Sequence, residues 1–262
     1  MSFATFRRHA LSTVILLGFS CVGADSFDFF TFTLQWPVTF CQMIQRKCNM
    51  TAVPDNWIIH GLWPSNFTGA NPRNCSSFFD VSQIPQNIAK EMNRQWPNLN
   101  KNESNDQFWD KQWRMHGSCA ESVPGVQNIG EYFTKVITLA NMYNIKEILN
   151  SSRITEGNQY PAATIQDAIV LSTTKLSKII ESKMRCAKNW LFEIRICFNK
   201  QFEVIDCPNV TNSTLKLTYP SKPSPAAQAL RCDVSSNGHS TSQFLSLIAF
   251  LIAFPSFLLL KV

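Results

Sequence analysis

The chain contains the stretch Trp57-Ile58-Ile59-His60-Gly61-Leu62-Trp63-Pro64, a short and nearly continuous apolar run. A run of this length predicts a buried β-strand, which Gly61 and Pro64 bring to an end. His60 lies in its middle. Taken alone, a histidine on an apolar strand is more often a hydrogen-bonded core residue than a catalyst, so the rest of the chain decides its role.

Segments with strand-like alternation lie on both sides of this run. Apolar residues alternate with polar ones from Phe30 to Trp36, which predicts a strand with one buried face and Gln35 on the other. Alternation over 192–196, and again over 202–205, predicts a β-hairpin towards the C-terminus.

The middle of the chain has helical spacing instead. Apolar residues recur there every three or four positions. They predict a helix that ends near Trp96, a second over 108–119, a third over 129–140 and a fourth over 165–180, opened by Thr164 as its cap. Strands at both ends with helices between them predict an α+β domain, in which an antiparallel sheet packs with several helices.

Both ends of the 262-residue chain are apolar. A basic start, a short apolar run and small residues predict a signal peptide over 1–24 rather than a membrane anchor. We expect one domain over 25–220, a flexible polar tail over 221–243 and a hydrophobic C-terminal segment over 244–262. That segment is short for a membrane span, which needs about 20 residues. A lipid anchor, a short membrane span and an incidental extension remain open.

Charge and cysteine content bound the class of protein. Without Arg7, Arg8 and Lys261, 21 of the 24 basic residues remain against 18 acidic ones, so the domain is only mildly basic. This balance is compatible with a polyanionic partner but does not require one. Nine cysteines occur, and without Cys21 of the signal peptide an even number remains, which predicts four disulfides in a secreted protein.

A zinc site is the other interpretation of the cysteines. It is disfavoured, because no Cys-x-x-Cys pair occurs and only two histidines lie in the domain. N-linked glycans are expected on exposed loops at several of the Asn-x-Ser/Thr sites. These sites are Asn49, Asn66, Asn74, Asn102, Asn150, Asn209 and Asn212.

The second histidine of the domain, His116, follows a helical segment. A lone histidine at a helix end is favoured by the helix dipole. A pair of histidines, however, suits RNA cleavage, because RNA carries its own nucleophile, the 2′-hydroxyl. One imidazole can take that proton while an imidazolium protonates the departing 5′-oxygen, and histidine has a suitable pKa for both tasks. This chemistry needs no metal and no cofactor.

Two segments resemble the active-site segments of the ribonuclease T2 family: Trp57 to Pro64, and Phe108-Trp109-Asp110-Lys111-Gln112-Trp113-Arg114-Met115-His116-Gly117-Ser118-Cys119-Ala120. Their order and separation also fit, and the likeness extends over about residues 27–208. Within the family, the chain looks most like the plant S-ribonucleases of the rose family, pistil proteins that reject self pollen. The resemblance implies a secreted endoribonuclease that cuts single-stranded RNA.

The resemblance also implies catalytic roles. His60 would be the general acid and His116 the general base. Gln112 lies one helical turn before His116, at the family's usual glutamate, and its amide is expected to bond a phosphate oxygen. Lys111 takes a position often held by histidine and is expected to hold the phosphate as a point charge.

Other residues match positions that bind RNA bases. Gln35 matches a base contact, and Asn98 and Leu99 match the same pocket. Trp63 and Phe108 would be stacking surfaces for unpaired bases. The alternative for both aromatic side chains is an ordinary place in the core.

Met115 departs from the family at a substrate-binding position, because the residue before the base histidine is usually lysine or arginine. Arg114 is one residue away, and one residue turns a helical side chain by about 100°. Losing one electrostatic partner of the transition state can cost about 10²–10³ in rate. We therefore expect an active but slower enzyme, with Lys111 as the main positive charge.

Family analogy pairs the cysteines as Cys41–Cys48, Cys75–Cys119, Cys197–Cys207 and Cys186–Cys232. The last pair is unusual, because 24 residues separate Cys207 from Cys232. Three roles remain open: rejection of self pollen with a pollen-side protein partner, phosphate scavenging from extracellular RNA, and a weakly active secreted binding protein. Both histidines are intact, which argues against the third.

Overall fold

The computed structural model describes residues 27–76, 78–183, 187–210 and 214–222. The chain divides into two units, Met1–Ser221 and Lys222–Val262, and all described residues except Lys222 belong to the first. Several predictions lie outside the described residues and stay predictions: the signal peptide, the hydrophobic C-terminal segment, nearly all of the polar tail, the Cys186–Cys232 pair and the glycan site at Asn212.

In the part of the chain that the structure describes, seven strands form two antiparallel sheets. The strands are β1 (Phe29–Gln35), β2 (Ile58–Ser65), β3 (Asn158–Pro161), β4 (Lys178–Glu181), β5 (Leu191–Phe198), β6 (Val204–Ile205) and β7 (Lys216–Tyr219). The main sheet has the order β2-β1-β5-β4, with β6 paired to β5, and β3 pairs with β7 in a small second sheet. The α+β class with an antiparallel sheet is therefore confirmed, and so is the β5–β6 hairpin.

Six α-helices accompany the sheets within the described ranges. They are α1 (Pro37–Ile44), α2 (Gln86–Gln95), α3 (Asn105–Met115), α4 (Ile129–Met142), α5 (Ile145–Ser151) and α6 (Ala162–Thr173). The predicted helices around α2, α3 and α4 are confirmed, although α3 gives way to a 3-10 turn over Gly117–Ala120. Within the described residues, no helix has the length and apolar character needed to cross a membrane.

The fourth predicted helix is wrong at both ends. Strand β3 runs to Pro161 and α6 follows at once, so Thr164 lies inside the helix and does not cap it. At the other end, Thr174 adopts a left-handed conformation with φ 61° and stops the helix. The apolar residues beyond it belong to strand β4.

Strand β1 is buried on both faces, whereas its alternation predicted one buried face. The strand lies between β2 and β5, so both of its edges are paired. On the second face, Thr33 lies opposite Gly61 and Arg195, and Gln35 lies opposite Glu193. This polar face is covered rather than solvated, and it carries the candidate site.

A β-bulge changes the direction of the His60 side chain. Strand β2 pairs Gly61 with Thr33 and Ile59 with Leu34, so His60 is the additional residue between two regular pairs. A bulge bends its strand and changes the direction of the side chain, and bulges are frequent beside active sites. His60 is half-buried, in contrast to the fully buried apolar residues on either side of it.

Three disulfides are present in the described residues, and they confirm three of the four pairings implied by the family. They are Cys41–Cys48, Cys75–Cys119 and Cys197–Cys207. The second ties the loop before Phe78 to the turn that follows α3. It therefore fixes a loop of the chain beside the residue that caps α3, His116.

Candidate active site

His60 and His116 meet at one aromatic ring, that of Trp63. The ring centroid of Trp63 lies 4.9 Å from that of His60 and 5.4 Å from that of His116. Two hydrogen bonds hold the strand beneath this cluster: Trp96 Nε1 donates to the carbonyl of His60, and the Tyr132 hydroxyl donates to the carbonyl of Leu62. Two imidazoles from different elements are thus fixed about one indole.

Glu193 holds His60 from the sheet. His60 Nδ1 lies 2.7 Å from Glu193 Oε1, and Glu193 is only 1% exposed. Its other oxygen accepts two hydrogen bonds from Arg195, at 2.9 Å from Nε and 2.6 Å from Nη2. Burial opposes ionisation, but the hydrogen bond and charge of His60, together with Arg195, hold the pKa of the Glu193 carboxyl below its ordinary value.

Sequence reasoning missed Glu193 and Arg195 as site residues. Both were recognised only as the polar half of an alternating strand over 192–196. That alternation is the same whether the polar face meets solvent or a site. A glutamate paired across the sheet with Gln35, itself a candidate site residue, was the available signal, but it needs the strand register.

Gln112 is fixed by Trp63. Trp63 Nε1 donates a hydrogen bond to Gln112 Oε1 over 3.1 Å. Because an indole nitrogen only donates, the carbonyl end of the Gln112 amide is assigned, and its NH₂ end is the one left for a substrate oxygen. Gly61 lies beneath this contact: a Cβ there would come 2.5 Å from Gln112 Oε1 and closer still to Trp63 Nε1.

His116 has a different electrostatic environment from His60. Burial, followed by the positive charges of Arg73 and His60, lowers the pKa of His116 to about 4. Arg73 was not predicted to act here. Its loop reaches the site because the backbone N–H of Asn74 donates to the carbonyl of Met115 over 3.4 Å, next to the Cys75–Cys119 bridge.

The two cations of α3 are engaged elsewhere. Lys111 forms an ion pair with Glu103, and Arg114 forms one with Asp110 on its own helix. Met115 supplies no charge, so α3 presents no unpaired cation. The predicted role of Lys111 stays a prediction, and it requires that Lys111 leave Glu103 for the phosphate.

The predicted base contacts differ in accessibility. Leu99 is 1% exposed and Gln35 is 4% exposed, so both are inside the protein in this conformation. Asn98 is half-buried, and its amide donates to the carbonyl of Glu103 over 2.9 Å. Phe108 is half-buried: it packs on the core with an edge contact to Trp96 and keeps part of its surface accessible.

Comparison with known proteins identifies the family of this chain. Residues 27–207 match the ribonuclease T2 family. This chain belongs to that family. It is a T2-type endoribonuclease, and its likeness to plant S-ribonucleases is confirmed by its relatives. Within the described residues, no cluster of three or more His, Cys, Asp or Glu side chains is arranged to hold a metal ion.

Two relatives and one solved structure illustrate the match. The chain is 34% identical over 190 residues to Ribonuclease Oy of Magallana gigas, a match that covers 69% of this chain and 87% of the relative. It is 34% identical over 208 residues to Ribonuclease S-7 of Pyrus pyrifolia, covering 75% and 86%. The crystal structure of RNase NT in complex with 5′-AMP superposes with a TM-score of 0.65 at 29% identity, covering 74% of this chain and 98% of that one.

Proposed function

We propose that this endoribonuclease cuts single-stranded RNA by transphosphorylation, with His116 as the general base and His60 as the general acid. The observation that carries the proposal is the contrast between the two imidazoles. His116 has a pKa of about 4 and is therefore neutral at mildly acidic or neutral pH, as a base must be. His60 instead lies with Nδ1 2.7 Å from the buried carboxylate of Glu193, a partner that His116 lacks among the described contacts.

In the first step, His116 takes the proton of the ribose 2′-hydroxyl, and the 2′-oxygen forms a bond to phosphorus. The bond from phosphorus to the 5′-oxygen breaks, and that oxygen receives a proton from His60. The products are a 2′,3′-cyclic phosphate and a free 5′-hydroxyl. In the second step the roles reverse: His60 takes a proton from water, and the water oxygen forms a bond to phosphorus. The bond from phosphorus to the 2′-oxygen breaks, that oxygen receives a proton from His116, and a 3′-phosphate remains.

The charge that develops on phosphate needs donors and cations. The NH₂ group of Gln112 is the donor that its bond to Trp63 leaves free. Arg73 has no ion-pair partner among the described residues, and its charge already acts at His116. We expect these two groups, with Lys111 once it is released from Glu103, to hold the phosphate in place of a cation at Met115.

For the RNA bases, Trp63, Asn98 and Phe108 keep accessible surface, whereas Gln35 and Leu99 are buried. We expect the first three to contact unpaired bases directly. The protein is expected to be secreted, with N-linked glycans and four disulfides. Its C-terminal segment is a lipid anchor, a short membrane span or an incidental extension. The three disulfides of the described residues are typical of an oxidising, extracellular environment.

The biological role that we propose is self-incompatibility in the pistil, with pollen-side protein partners. It is supported by the identity to Ribonuclease S-7 of Pyrus pyrifolia. The alternative is phosphate scavenging from extracellular RNA; the chain has equal identity to Ribonuclease Oy of Magallana gigas, which is not named as an S-ribonuclease. Transcript confined to the pistil would favour the first role, whereas transcript induced by phosphate starvation in other tissues would favour the second.

The reaction is tested with a short oligonucleotide that contains one ribose flanked by deoxyribose. We expect wild-type protein to cut at that ribose and leave a 2′,3′-cyclic phosphate, and we expect His60→Ala and His116→Ala to lose the cleavage. Retained cleavage in either variant would remove that histidine from the mechanism. A folded wild-type protein that binds but does not cut this substrate would favour the binding-protein alternative.

A further inference from the structure

Among the described residues, Glu193 is the one charged side chain in the fully buried class. It lies on β5 between two strands, opposite Gln35 of β1 and Ile180 of β4. A buried carboxylate is costly unless its oxygens are paired. Glu193 has three such contacts, one from His60 and two from Arg195.

The two-histidine reaction itself makes no use of this carboxylate. We propose that Glu193 is a positioning residue for the proton transfer by His60: its carboxylate holds the imidazole at Nδ1 and leaves Nε2 as the nitrogen that delivers the proton to the 5′-oxygen. This inference rests on the proposed role of His60 as the general acid.

The assignment of the two ring nitrogens follows from the partner. An ionised carboxylate has no proton to donate, so the hydrogen of the bond between His60 and Glu193 belongs to Nδ1. The ring therefore keeps its Nδ1 proton when Nε2 loses its own. The neutral ring that remains after the first step has Nε2 unprotonated, ready to accept a proton from water in the second step.

Arg195 makes the position of the carboxylate rigid. Its fork binds the second oxygen of Glu193 with two nitrogens, so the carboxylate cannot rotate away without breaking both bonds. The guanidinium also lies 5.5 Å from the ring centroid of Trp63, which itself contacts His60. The β-bulge at His60 gives the imidazole a direction, and Glu193 with Arg195 holds it there.

The proposal predicts a loss that depends on the leaving group. A nucleoside 5′-alkoxide needs a proton in order to leave, whereas 4-nitrophenolate leaves without one. We would measure kcat and KM for two uridine 3′-phosphodiesters, one with a nucleoside and one with a 4-nitrophenyl leaving group. Because general acid catalysis contributes about 10²–10⁴ in rate, we expect Glu193→Gln to lower kcat about 10- to 100-fold on the nucleoside ester and less than about threefold on the nitrophenyl ester.

Two further variants make the result specific. His60→Ala should show the same selective pattern with a larger loss, which tests the proposed role of His60 separately. Glu181→Gln is the matched control, because Glu181 lies on the neighbouring strand β4 and pairs with Lys183 outside the site. It should leave both substrates at wild-type rates.

The positioning role of Glu193 would be overturned if Glu193→Gln lost the same activity on both esters, or lost none on either, while His60→Ala still lost activity selectively on the nucleoside ester. If His60→Ala itself lost both activities equally, the proposed acid role would fail instead. One measurement needs no variant and covers the case in which Glu193→Gln does not fold. The ¹⁵N shifts of the wild-type His60 ring should report a protonated Nδ1 in the neutral form, and a ring protonated only at Nε2 would contradict the inference.

Discussion

Trp63 Nε1 donates to Gln112 Oε1 directly above the α-carbon of Gly61. This contact joins strand β2, which contains His60, to helix α3, which His116 caps; these are the two histidines that we propose to be catalytic. It also determines which end of the Gln112 amide is available to substrate. The backbone at Gly61 has a strand conformation that other residues can adopt. Glycine is therefore required there by the space that Trp63 and Gln112 occupy and not by the backbone.

Gly61→Ala is expected to separate Trp63 from Gln112. The added methyl group would come 2.5 Å from Gln112 Oε1, so both side chains must move. Overpacking of this kind typically costs about 1–3 kcal/mol of stability. Complete loss of a donor to the transition state costs on the order of 10²–10³ in rate. Because Gly61→Ala displaces the Gln112 amide without removing it, we expect a smaller fall in kcat/KM on single-stranded RNA, of at least about tenfold.

Gly69→Ala is the control for that substitution. Gly69 has a positive φ of 79°, and no atom outside its chain neighbours lies within 4 Å of where a Cβ would be, so alanine there strains the backbone without touching the site. We expect lower stability in urea with an unchanged kcat/KM. If Gly61→Ala behaved in the same way, the contact between Trp63 and Gln112 would have no part in catalysis.

Met115→Lys is expected to raise the rate. It places a charge where the resemblance to the family implies lysine or arginine, and the existing cations of α3 are held by Glu103 and Asp110. We expect kcat on single-stranded RNA to increase, by up to about 10² if the full electrostatic contribution is recovered. Arg114→Lys should leave kcat unchanged, because Arg114 is paired with Asp110. An unchanged rate in Met115→Lys would show that Met115 does not slow this enzyme.

Strands β1, β2, β5 and β6 and helices α2, α3 and α4 were predictable because their apolar side chains face the core, whereas the short elements β3, β4, β7, α1 and α5 were not predicted. Strand β2 and helices α2 and α4 follow directly from the run and the spacing of their apolar residues. The end of α6 was not predictable, because it depends on the left-handed conformation of Thr174, and threonine rarely adopts that conformation. The spacing of the apolar residues wrongly extended the predicted helix into the segment that forms strand β4.

The candidate site was predictable only in part. The two histidines, Trp63 and Gln112 lie in motifs that are continuous in sequence. Glu193 and Arg73 lie far from those motifs along the chain, and they reach the site through strand register and through a disulfide-tied loop. Neither relationship leaves a pattern in the local sequence, so the two residues were found only in the folded structure.

The pH dependence of the reaction should reflect the charge of Arg73. A general base works when neutral, and the pKa of His116 is about 4, so we expect kcat/KM to stay high in mild acid and to fall only as the pH approaches 4. Arg73 disfavours the protonated ring. In Arg73→Ala the pKa of His116 should therefore rise, and the acid limb of the kcat/KM profile should move to higher pH.

Lys90→Ala provides the comparison, because Lys90 is an exposed cation on α2. Its removal should leave the acid limb in place. We also expect kcat of Arg73→Ala to fall at all pH values if Arg73 binds the phosphate. A moved limb with an unchanged plateau would mean that Arg73 acts on His116 alone.

The Cys75–Cys119 bridge is expected to support catalysis as well as stability. It closes a loop across 44 positions and holds the segment with Arg73 beside the end of α3. Removing a native disulfide typically costs about 2–5 kcal/mol. We expect the double variant Cys75→Ala/Cys119→Ala to lose stability and also to move the acid limb upward, since the loop then releases Arg73 from His116.

The Cys197→Ala/Cys207→Ala variant is the matched control, because its bridge spans only 10 positions within the β5–β6 hairpin. It should lose stability, measured by urea unfolding, and keep the wild-type pH profile; identical profiles in the two double variants would mean that the Cys75–Cys119 bridge stabilises the fold without positioning Arg73.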